Sequence, residues 1–174
     1  MRTKVCFLGY LMLLTTACKS TKQQFEKPAV HDGWRSLLSM DYQQNWELFL
    51  GVPHGTVSGI TGVDPSSDGK KGTPLGLNND PKQVFTVKNI NGEPVLHISG
   101  EIYGALSTLQ DYENYHLSLQ FKWGEKKWPP RLNRKKDSGI LYHCLAPHGR
   151  FWNVWMQSQE FQVQETDVGD FYAL

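Results

Sequence analysis

The sequence is poor in cysteine, has no excess of charge of either sign, and shows no sustained helical period after residue 17. Its 18 Lys and Arg residues are interspersed with 17 Asp and Glu residues, which gives a formal net charge of +1. Such a balance argues against a nucleic-acid partner or a polybasic membrane patch. The missing helical period points away from a helical fold. With 174 residues, the chain has the length of one domain.

The N-terminus carries the pattern of a secretory signal. Arg2 and Lys4 precede the apolar run Val5–Leu14, which is too short to span a bilayer, and the small residue Ala17 follows. Because Cys18 comes directly after Ala17, the pattern resembles a bacterial lipoprotein signal, in which this cysteine is acylated and becomes the first mature residue. Simple secretion is the alternative. We therefore predict a lipid-anchored protein of the cell envelope, periplasmic or on the outer membrane.

This interpretation divides the chain into three parts. Residues 1–17 are the signal, residues 18–30 form a polar tether, and residues 31–174 form one folded domain. The chain stops in an apolar run at residues 171–174 with no closing turn, so we expect this domain to lack its C-terminal strands.

The three cysteines leave no intramolecular disulfide in this scheme. Cys6 is removed with the signal and Cys18 is acylated, so Cys144 stays without a cysteine partner. The domain then has to rest on its hydrophobic core. We expect Cys144 to be a small strand residue rather than a nucleophile.

Short strand patterns separated by Gly and Asn turns dominate the rest of the chain. Asn91-Gly92 is a favoured pair for a two-residue hairpin turn. The longest alternation, Tyr115–Trp123, predicts an antiparallel strand with one buried face. The turn-rich segment Gly51–Pro81 predicts a long loop of a kind that is more often functional. The other predicted strands of this part lie at Trp46–Leu50, Val84–Val87, Val95–Ser99 and Ala105–Leu109. The pattern is typical of an all-β, two-sheet sandwich.

Polar residues on strands mark the stretch Arg131–Gly169 as the candidate site. Along the predicted strand Glu160–Gln164, alternation puts three polar side chains on one face: Glu160, Gln162 and Gln164. On the predicted strand Gly139–Leu145, His143 shares a face with two leucines. Three large aromatic residues lie between these strands: Phe151, Trp152 and Trp155. Carboxylate, amide and imidazole groups beside aromatic rings suit a polyol-binding surface.

Four segments carry a resemblance to a known family. They read L-S-T-L-Q-D-Y-E-N-Y-H-L-S-L-Q-F-K-W-G, K-W-P-P-R, K-D-S-G-I-L-Y-H-C and E-F-Q-V-Q-E-T-D-V-G-D. They resemble the 3-keto-disaccharide hydrolase family, and the resemblance runs from about Trp46 to the last residue. It implies a concanavalin-like jelly-roll β-sandwich of antiparallel sheets. It also implies an oligosaccharide or glycoside substrate whose sugar carries a ketone at C3.

The resemblance also implies site residues. The family's D-S-G-I motif begins at Asp137, and its E-x-Q motif falls on Glu160 and Gln162. Elimination from a 3-keto sugar needs a base, for which Glu160 or His143 is the candidate. The group that polarises the ketone is Arg131, Lys122 or a bound divalent ion. The predicted substrate-binding residues are Arg131, Gln162, Lys122, Ser138 and Trp155.

Several alternatives stay open at this point. His143, Glu160 and Glu165 are ligand types for a divalent ion, but the sequence has no tight metal motif, so no cofactor is assigned. A conventional glycoside hydrolase would pair Glu160 with Asp137 or Glu165. A carbohydrate-binding module would use the aromatic and amide groups without catalysis. A purely structural surface lipoprotein is disfavoured by the polar strand.

Overall fold

The structure, a computed structural model, describes residues 33–174. The predicted signal at residues 1–17, the acylated Cys18 and the tether at residues 18–30 lie outside the described residues. Within residues 33–174, no helix combines the length and the apolar character that crossing a membrane requires.

Antiparallel strands make up nearly all the regular structure of the described chain, beside one 3-10 turn at Tyr42–Gln44. The strands form three sheets, ordered β2-β1-β5, β3-β4 and β6-β7-β8. The prediction of an all-β fold with antiparallel sheets is confirmed, and the arrangement is consistent with a β-sandwich. The strands are β1 (Trp46–Leu50), β2 (Gly76–Leu77), β3 (Phe85–Ile90), β4 (Glu93–Ile98), β5 (Gly104–Thr108), β6 (Asp137–Leu145), β7 (Gln157–Gln164) and β8 (Asp167–Ala173).

The hydrophobic core gathers around β1. Strand alternation turns Leu48 and Leu50 inward, where they are almost completely buried. Burial of each such side chain contributes about 1.5–3 kcal/mol to folding. The rest of the buried cluster comes from loops and from the start of β3: Leu75, Val84, Phe85 and Ile102. The long loop after β1 is therefore tied to the core through Leu75.

The predicted hairpin turn at Asn91-Gly92 connects β3 and β4. Both residues adopt positive φ angles, 54° and 90°, as a tight hairpin turn of this kind requires. The Asn89 side chain closes the turn by accepting a hydrogen bond from the Gly92 amide at 2.9 Å. The sequence prediction is confirmed here because the turn chemistry is local.

The prediction of a strand at Tyr115–Trp123 is wrong. This segment forms no strand, and on its apolar face Leu119 and Phe121 are 48% and 52% exposed. Alternation specifies an extended chain with two different faces, but a strand also needs a neighbouring chain for its backbone hydrogen bonds. None of the strands in residues 33–174 pairs with this segment.

The predicted loop Gly51–Pro81 is irregular apart from the two-residue strand β2. Backbone hydrogen bonds nevertheless anchor it near its start. The Gly51 amide donates to the Tyr103 carbonyl at 2.8 Å, and the Leu75 amide donates to the Gly51 carbonyl at 3.1 Å. The loop therefore returns to β1 and lies beside the residue that precedes β5.

A β-bulge changes the expected course of β6. The register with β7 shifts between Tyr142 and Leu145, and His143 adopts a φ of 53° within this interval. One extra residue on the β6 side interrupts the alternation. The prediction that His143 shares one regular strand face with Leu141 and Leu145 is therefore wrong.

Candidate active site on the β6–β7 face

The register of β6 and β7 gathers polar side chains on one face of their sheet. Directly paired residues share a face, and the pairs are Asp137 with Gln164, Gly139 with Gln162, and Leu141 with Glu160. The acidic groups Asp137 and Glu160 and the amide of Gln162 thus project from the same side. The polar row along β7 follows the alternation in the sequence.

Glu160 lies over Gly139, and the absence of a side chain at Gly139 makes room for it. A Cβ atom at Gly139 would overlap the Glu160 Oε1 atom. The carboxylate is therefore held low against the sheet. Burial is the larger cause and the negative charge of Asp137 the smaller one, and together they raise the pKa of Glu160 to about 7.

Asp137 is fixed by two neighbours at the start of β6. The Arg131 guanidinium forms an ion pair with its Oδ2 atom at 2.8 Å. Gln162 Nε2 donates a hydrogen bond to its Oδ1 atom at 2.9 Å. Arg131 also donates to the Lys135 carbonyl at 3.1 Å, which holds the guanidinium in place. Asp137 thus carries a charge that is paired and oriented.

One side-chain atom of Gln162 makes no hydrogen bond in the described part of the chain. The residue is 7% exposed, and its Oε1 atom is buried without a hydrogen-bond partner among residues 33–174. A buried acceptor without a partner costs about 1–3 kcal/mol. A hydrogen-bond donor that reached this buried atom would remove that cost.

Tyr103 adds a hydroxyl group beside Arg131. Burial raises its pKa, Arg131 opposes that shift, and the Asp137 charge adds to it. The phenol therefore stays protonated at neutral pH and can donate a hydrogen bond. Its ring lies 6.0 Å from the Trp155 ring, centroid to centroid. The Trp155 indole in turn donates to the Gly104 carbonyl at 3.2 Å, which orients it.

Aromatic rings continue the surface from Tyr103 outward. The rings of Trp155 and Trp152 lie 5.7 Å apart, and Phe151 stacks on Trp152 at 4.9 Å. Trp152 is 46% exposed, so part of its surface is available to a ligand. Flat rings beside hydrogen-bonding groups suit the apolar and polar sides of a sugar.

The long loop reaches the site through a tight turn at Asp68. The Asp68 Oδ1 atom accepts hydrogen bonds from the amides of Lys70 and Lys71 at 2.9 and 3.0 Å. These bonds hold the pKa of Asp68 at about 2. Gly69, with a φ of 70°, packs against Tyr103, whose ring would come within 3.0 Å of a Cβ atom. The loop thereby supports the Tyr103 ring.

Lys70 is the loop residue that faces the aromatic surface. Its Nζ atom lies 3.0 Å from the centroid of the Trp152 ring. The Asn153 side chain donates to the Lys70 carbonyl at 2.8 Å, which fastens the loop to the aromatic segment. If the loop is functional, as its length and turn residues predict, Lys70 is a loop residue to test.

The structure brings some of the predicted site residues together and separates others. Arg131, Glu160 and Gln162 meet around Asp137, and Trp155 joins them through Tyr103. Ser138 pairs with Val163, so its side chain lies on the opposite face of β6. Lys122 is exposed on the segment that forms no strand. His143 lies at the bulge, with its ring 5.5 Å from Tyr142.

Glu165 is engaged in ion pairs. Its carboxylate contacts Lys136 at 2.9 Å and Lys127 at 3.2 Å. The hydrogen bonds from Lys136 and Lys127 lower the pKa of Glu165 to about 2. Among residues 33–174, no group of three or more His, Cys, Asp or Glu side chains is placed to hold a metal ion. The ligand set of His143, Glu160 and Glu165 is therefore not assembled.

Sequence reasoning missed Tyr103 and Lys70. The turn residues around Asp68 marked the loop but did not single out Lys70. No local pattern marks Tyr103, because its position depends on contacts with residues more than 25 positions away, such as Arg131. Both residues enter the site through tertiary packing.

A cavity elsewhere on the molecule is an alternative location for the functional site. Its volume is about 380 Å³, and its walls include Tyr42, Asp80 and Phe85. Glu160 and Asp137 do not line it. The cavity contains one carboxylate, which accepts hydrogen bonds from the Val84 and Phe85 amides. Because these backbone hydrogen bonds engage that carboxylate, the described walls of the cavity offer no free acidic group. The open β6–β7 face is therefore the better candidate site.

Comparison with known families gives one match over most of the chain. The model of one family, described as the 3-keto-alpha-glucoside-1,2-lyase-like domain, matches residues 30–173. No curated protein and no solved structure matches the chain.

Proposed function

Because the chain belongs to the 3-keto-alpha-glucoside-1,2-lyase-like domain family, we propose that it cleaves the glycosidic bond of 3-keto-glycosides, including 3-keto-disaccharides, by elimination. The observation that carries the proposal is Glu160. It is a partly buried carboxylate with a pKa of about 7, and it lies on a polar sheet face beside the ion-paired Asp137.

The reaction requires a base near C2 of the sugar. The C3 ketone acidifies the C2 proton, and removal of that proton leaves its electron pair as an enolate on the C3 oxygen. Return of the pair forms the C1–C2 double bond and breaks the bond from C1 to the leaving oxygen, which takes up a proton. Water then adds to C1 and a proton returns to C2. The net result is hydrolysis of the glycoside.

Glu160 is suited to take the C2 proton. General bases work best when their pKa lies close to the working pH, and burial raises the pKa of Glu160 to about 7. A carboxylate with an ordinary pKa would be a weaker base. After the transfer, the protonated Glu160 becomes an acid that can return a proton to the substrate.

Arg131 and Tyr103 are suited to stabilise the enolate. Arg131 is already oriented by Asp137 and the Lys135 carbonyl, so it needs no rearrangement to meet a developing negative charge. Tyr103 supplies a neutral O–H donor beside it. Gln162 supports this arrangement, because its Nε2 atom donates a hydrogen bond to Asp137, the partner of Arg131.

Two other functions remain candidates on specific observations. The Asp137 charge acts on Glu160, so the two carboxylates could form the pair of a conventional glycoside hydrolase. The aromatic row from Phe151 to Trp155 also suits a binding module without catalysis. Elimination requires the C3 ketone of the substrate, whereas conventional hydrolysis does not. A binding module binds the sugar and cleaves neither substrate.

The test measures leaving-group release from a 3-keto-glucoside and from its unoxidised parent, with and without chelator. The proteins are the wild type, Glu160→Gln and the control Glu125→Gln, which changes an exposed carboxylate elsewhere. We expect the wild type and the control to cleave only the keto substrate, and Glu160→Gln to lose at least about a hundredfold. Cleavage of both substrates would favour the two-carboxylate hydrolase. Binding without cleavage would favour the binding module.

A further inference from the structure

The turn at Asp68 lies against the ring of Tyr103, the residue proposed to donate a hydrogen bond to the enolate. A Cβ atom on Gly69 would lie 3.0 Å from the Tyr103 Cε2 atom and 3.2 Å from its Cδ2 atom. Because these are neighbouring carbons of one ring, the backbone of Gly69 contacts one side of that ring. The turn therefore forms a wall of the space that the Tyr103 side chain occupies.

The other contacts of Tyr103 fix its backbone and its phenol. The Gly51 amide donates to the Tyr103 carbonyl at 2.8 Å, and the Trp155 ring lies 6.0 Å from the Tyr103 ring. The Arg131 side chain hydrogen-bonds to the phenol. Because a guanidinium has only donors, the phenol oxygen accepts this bond and its own hydrogen stays available to a substrate. The position of the ring decides where that hydrogen points.

The Asp68 carboxylate holds the backbone of the turn. Its Oδ1 atom accepts hydrogen bonds from the amides of Lys70 and Lys71 at 2.9 and 3.0 Å, and from the Ser66 hydroxyl at 2.8 Å. Ser66 is buried, so this end of the carboxylate is tied to the interior of the fold. An aspartate that accepts bonds from amides two and three residues ahead stabilises a tight turn. It thereby fixes Gly69, which lies between Asp68 and these amides.

The same turn is also fastened to the aromatic segment. The Asn153 side chain donates to the Lys70 carbonyl at 2.8 Å, and the Lys70 Nζ atom lies 3.0 Å from the centroid of the Trp152 ring. The Trp152 ring neighbours Trp155, which in turn neighbours Tyr103. A change in the backbone of the turn therefore reaches the phenol both directly and through the aromatic residues.

We propose that Asp68 is a positioning residue, which holds Gly69 against the Tyr103 ring and so keeps the phenol beside Arg131 in the orientation that the enolate requires. Asp68 acts through the turn and need not touch the substrate. The inference rests on the proposed function for the role of the phenol in the reaction. The contact between the turn and the ring stands on the geometry alone.

The kinetic test is a double-mutant cycle on the 3-keto substrate with the full chain. Tyr103→Phe removes the donor and should lower kcat about a hundredfold. Asp68→Ala removes the acceptor that holds the turn and should lower kcat about tenfold with little change in KM, because the phenol acts in the transition state. In the Tyr103→Phe background, Asp68→Ala should cost less than about twofold, because the donor that it positions is already gone.

Two further variants separate positioning from a general loss of structure. Asp68→Asn keeps an oxygen that can accept the amide hydrogen bonds, so it should recover most of the activity. Asp64→Ala removes an exposed carboxylate of the same loop and should leave the activity unchanged. Thermal unfolding of each variant checks that the fold is retained. A merely structural role would give the same loss with and without the phenol.

A second measurement does not depend on cleavage. In protein labelled with carbon-13 in its tyrosine rings, the NMR signal that disappears in Tyr103→Phe belongs to Tyr103. Asp68→Ala should shift this signal, because it changes the wall beside the ring. Asp64→Ala should not shift it.

The outcomes separate this inference from the proposed function. A shifted Tyr103 signal, together with a loss of kcat that requires Tyr103, would support the inference. An unshifted signal in Asp68→Ala, or an equal loss of kcat with and without the phenol, would overturn it while cleavage of the 3-keto substrate remained. Absence of cleavage by the wild type would contradict the proposed function, and it would overturn the catalytic part of the inference whatever the signal shows.

Discussion

Glu160 occupies space above Gly139 that a β-carbon would fill, and this contact sets the position of the proposed base. The backbone of Gly139 does not require glycine for its φ angle, so its role is to leave room. We predict that Gly139→Ala folds but loses about a hundredfold in activity, because the carboxylate must move by about 1 Å or more. Steady-state kinetics on the 3-keto substrate measures the loss.

Gly124→Ala is the matched control, because a Cβ atom there meets nothing within 4 Å. It should leave the activity unchanged. If Gly139→Ala kept full activity, the carboxylate would not need its position over the sheet, and Glu160 would not be the base.

The raised pKa of Glu160 also has a consequence for stability. Because its folded pKa is about 7 and its ordinary value is 4.5, the folded state holds more protons than the unfolded state between these pH values. Stability therefore falls as pH rises through this window. Since Glu160 is only partly buried, we expect Glu160→Gln to gain about 1 kcal/mol over the wild type at pH 8 and little at pH 4.

Denaturant unfolding at the two pH values measures this difference. Glu125→Gln should show no such change with pH. A stability difference between Glu160→Gln and the wild type that is equal at pH 4 and pH 8 would contradict the raised pKa.

The strands and turns of the fold show which sequence patterns are sufficient to predict secondary structure. The β3–β4 turn and the polar face of β7 follow from turn chemistry and from alternation, both of which are local. The Tyr115–Trp123 segment has the longest alternation in the chain and still forms no strand, because pairing depends on a neighbour that alternation does not specify. The bulge at His143 could not be predicted from the sequence of β6 either, because a register shift depends on both paired strands.

Hydrogen exchange tests the state of the Tyr115–Trp123 segment. We predict that its amides from His116 onward exchange rapidly in the native protein, because no strand in residues 33–174 hydrogen-bonds to them. The amides of β7, which pairs on both sides, serve as the protected reference. Protection of the segment equal to that of β7 would show a ladder partner and contradict the prediction.

On the scale of the whole molecule, the site is assembled from distant parts of the chain. The sequence predicted the contributions of Arg131, Glu160 and Gln162 from strand patterns and family resemblance. It did not predict that the long loop would bring Lys70 against the Trp152 ring, or that Tyr103 would lie beside Arg131. Those contacts come from three-dimensional packing across long sequence separations, which local patterns do not encode.

The lipid anchor is a whole-molecule property that stays a prediction from the sequence. We expect Cys18→Ser to abolish fatty-acid labelling and to release the protein from the membrane fraction, because acylation needs the thiol. Metabolic labelling with a radioactive fatty acid, followed by fractionation, measures both effects. Cys144→Ser is the control and should keep the label. Persistent labelling of Cys18→Ser would contradict the lipoprotein assignment.

Cleavage through C2 can be followed directly by running the reaction in deuterium oxide and analysing the first product formed. Elimination and rehydration predict one deuterium atom at C2 of the released 3-keto sugar, with incorporation abolished together with turnover in Glu160→Gln. The same product, incubated without enzyme, gives the background exchange. Because protonated Glu160 can return the same proton, the contradicting result is a C2 that keeps its original hydrogen together with an unchanged rate for a substrate deuterated at C2. That pair of results would assign the cleavage to displacement at C1.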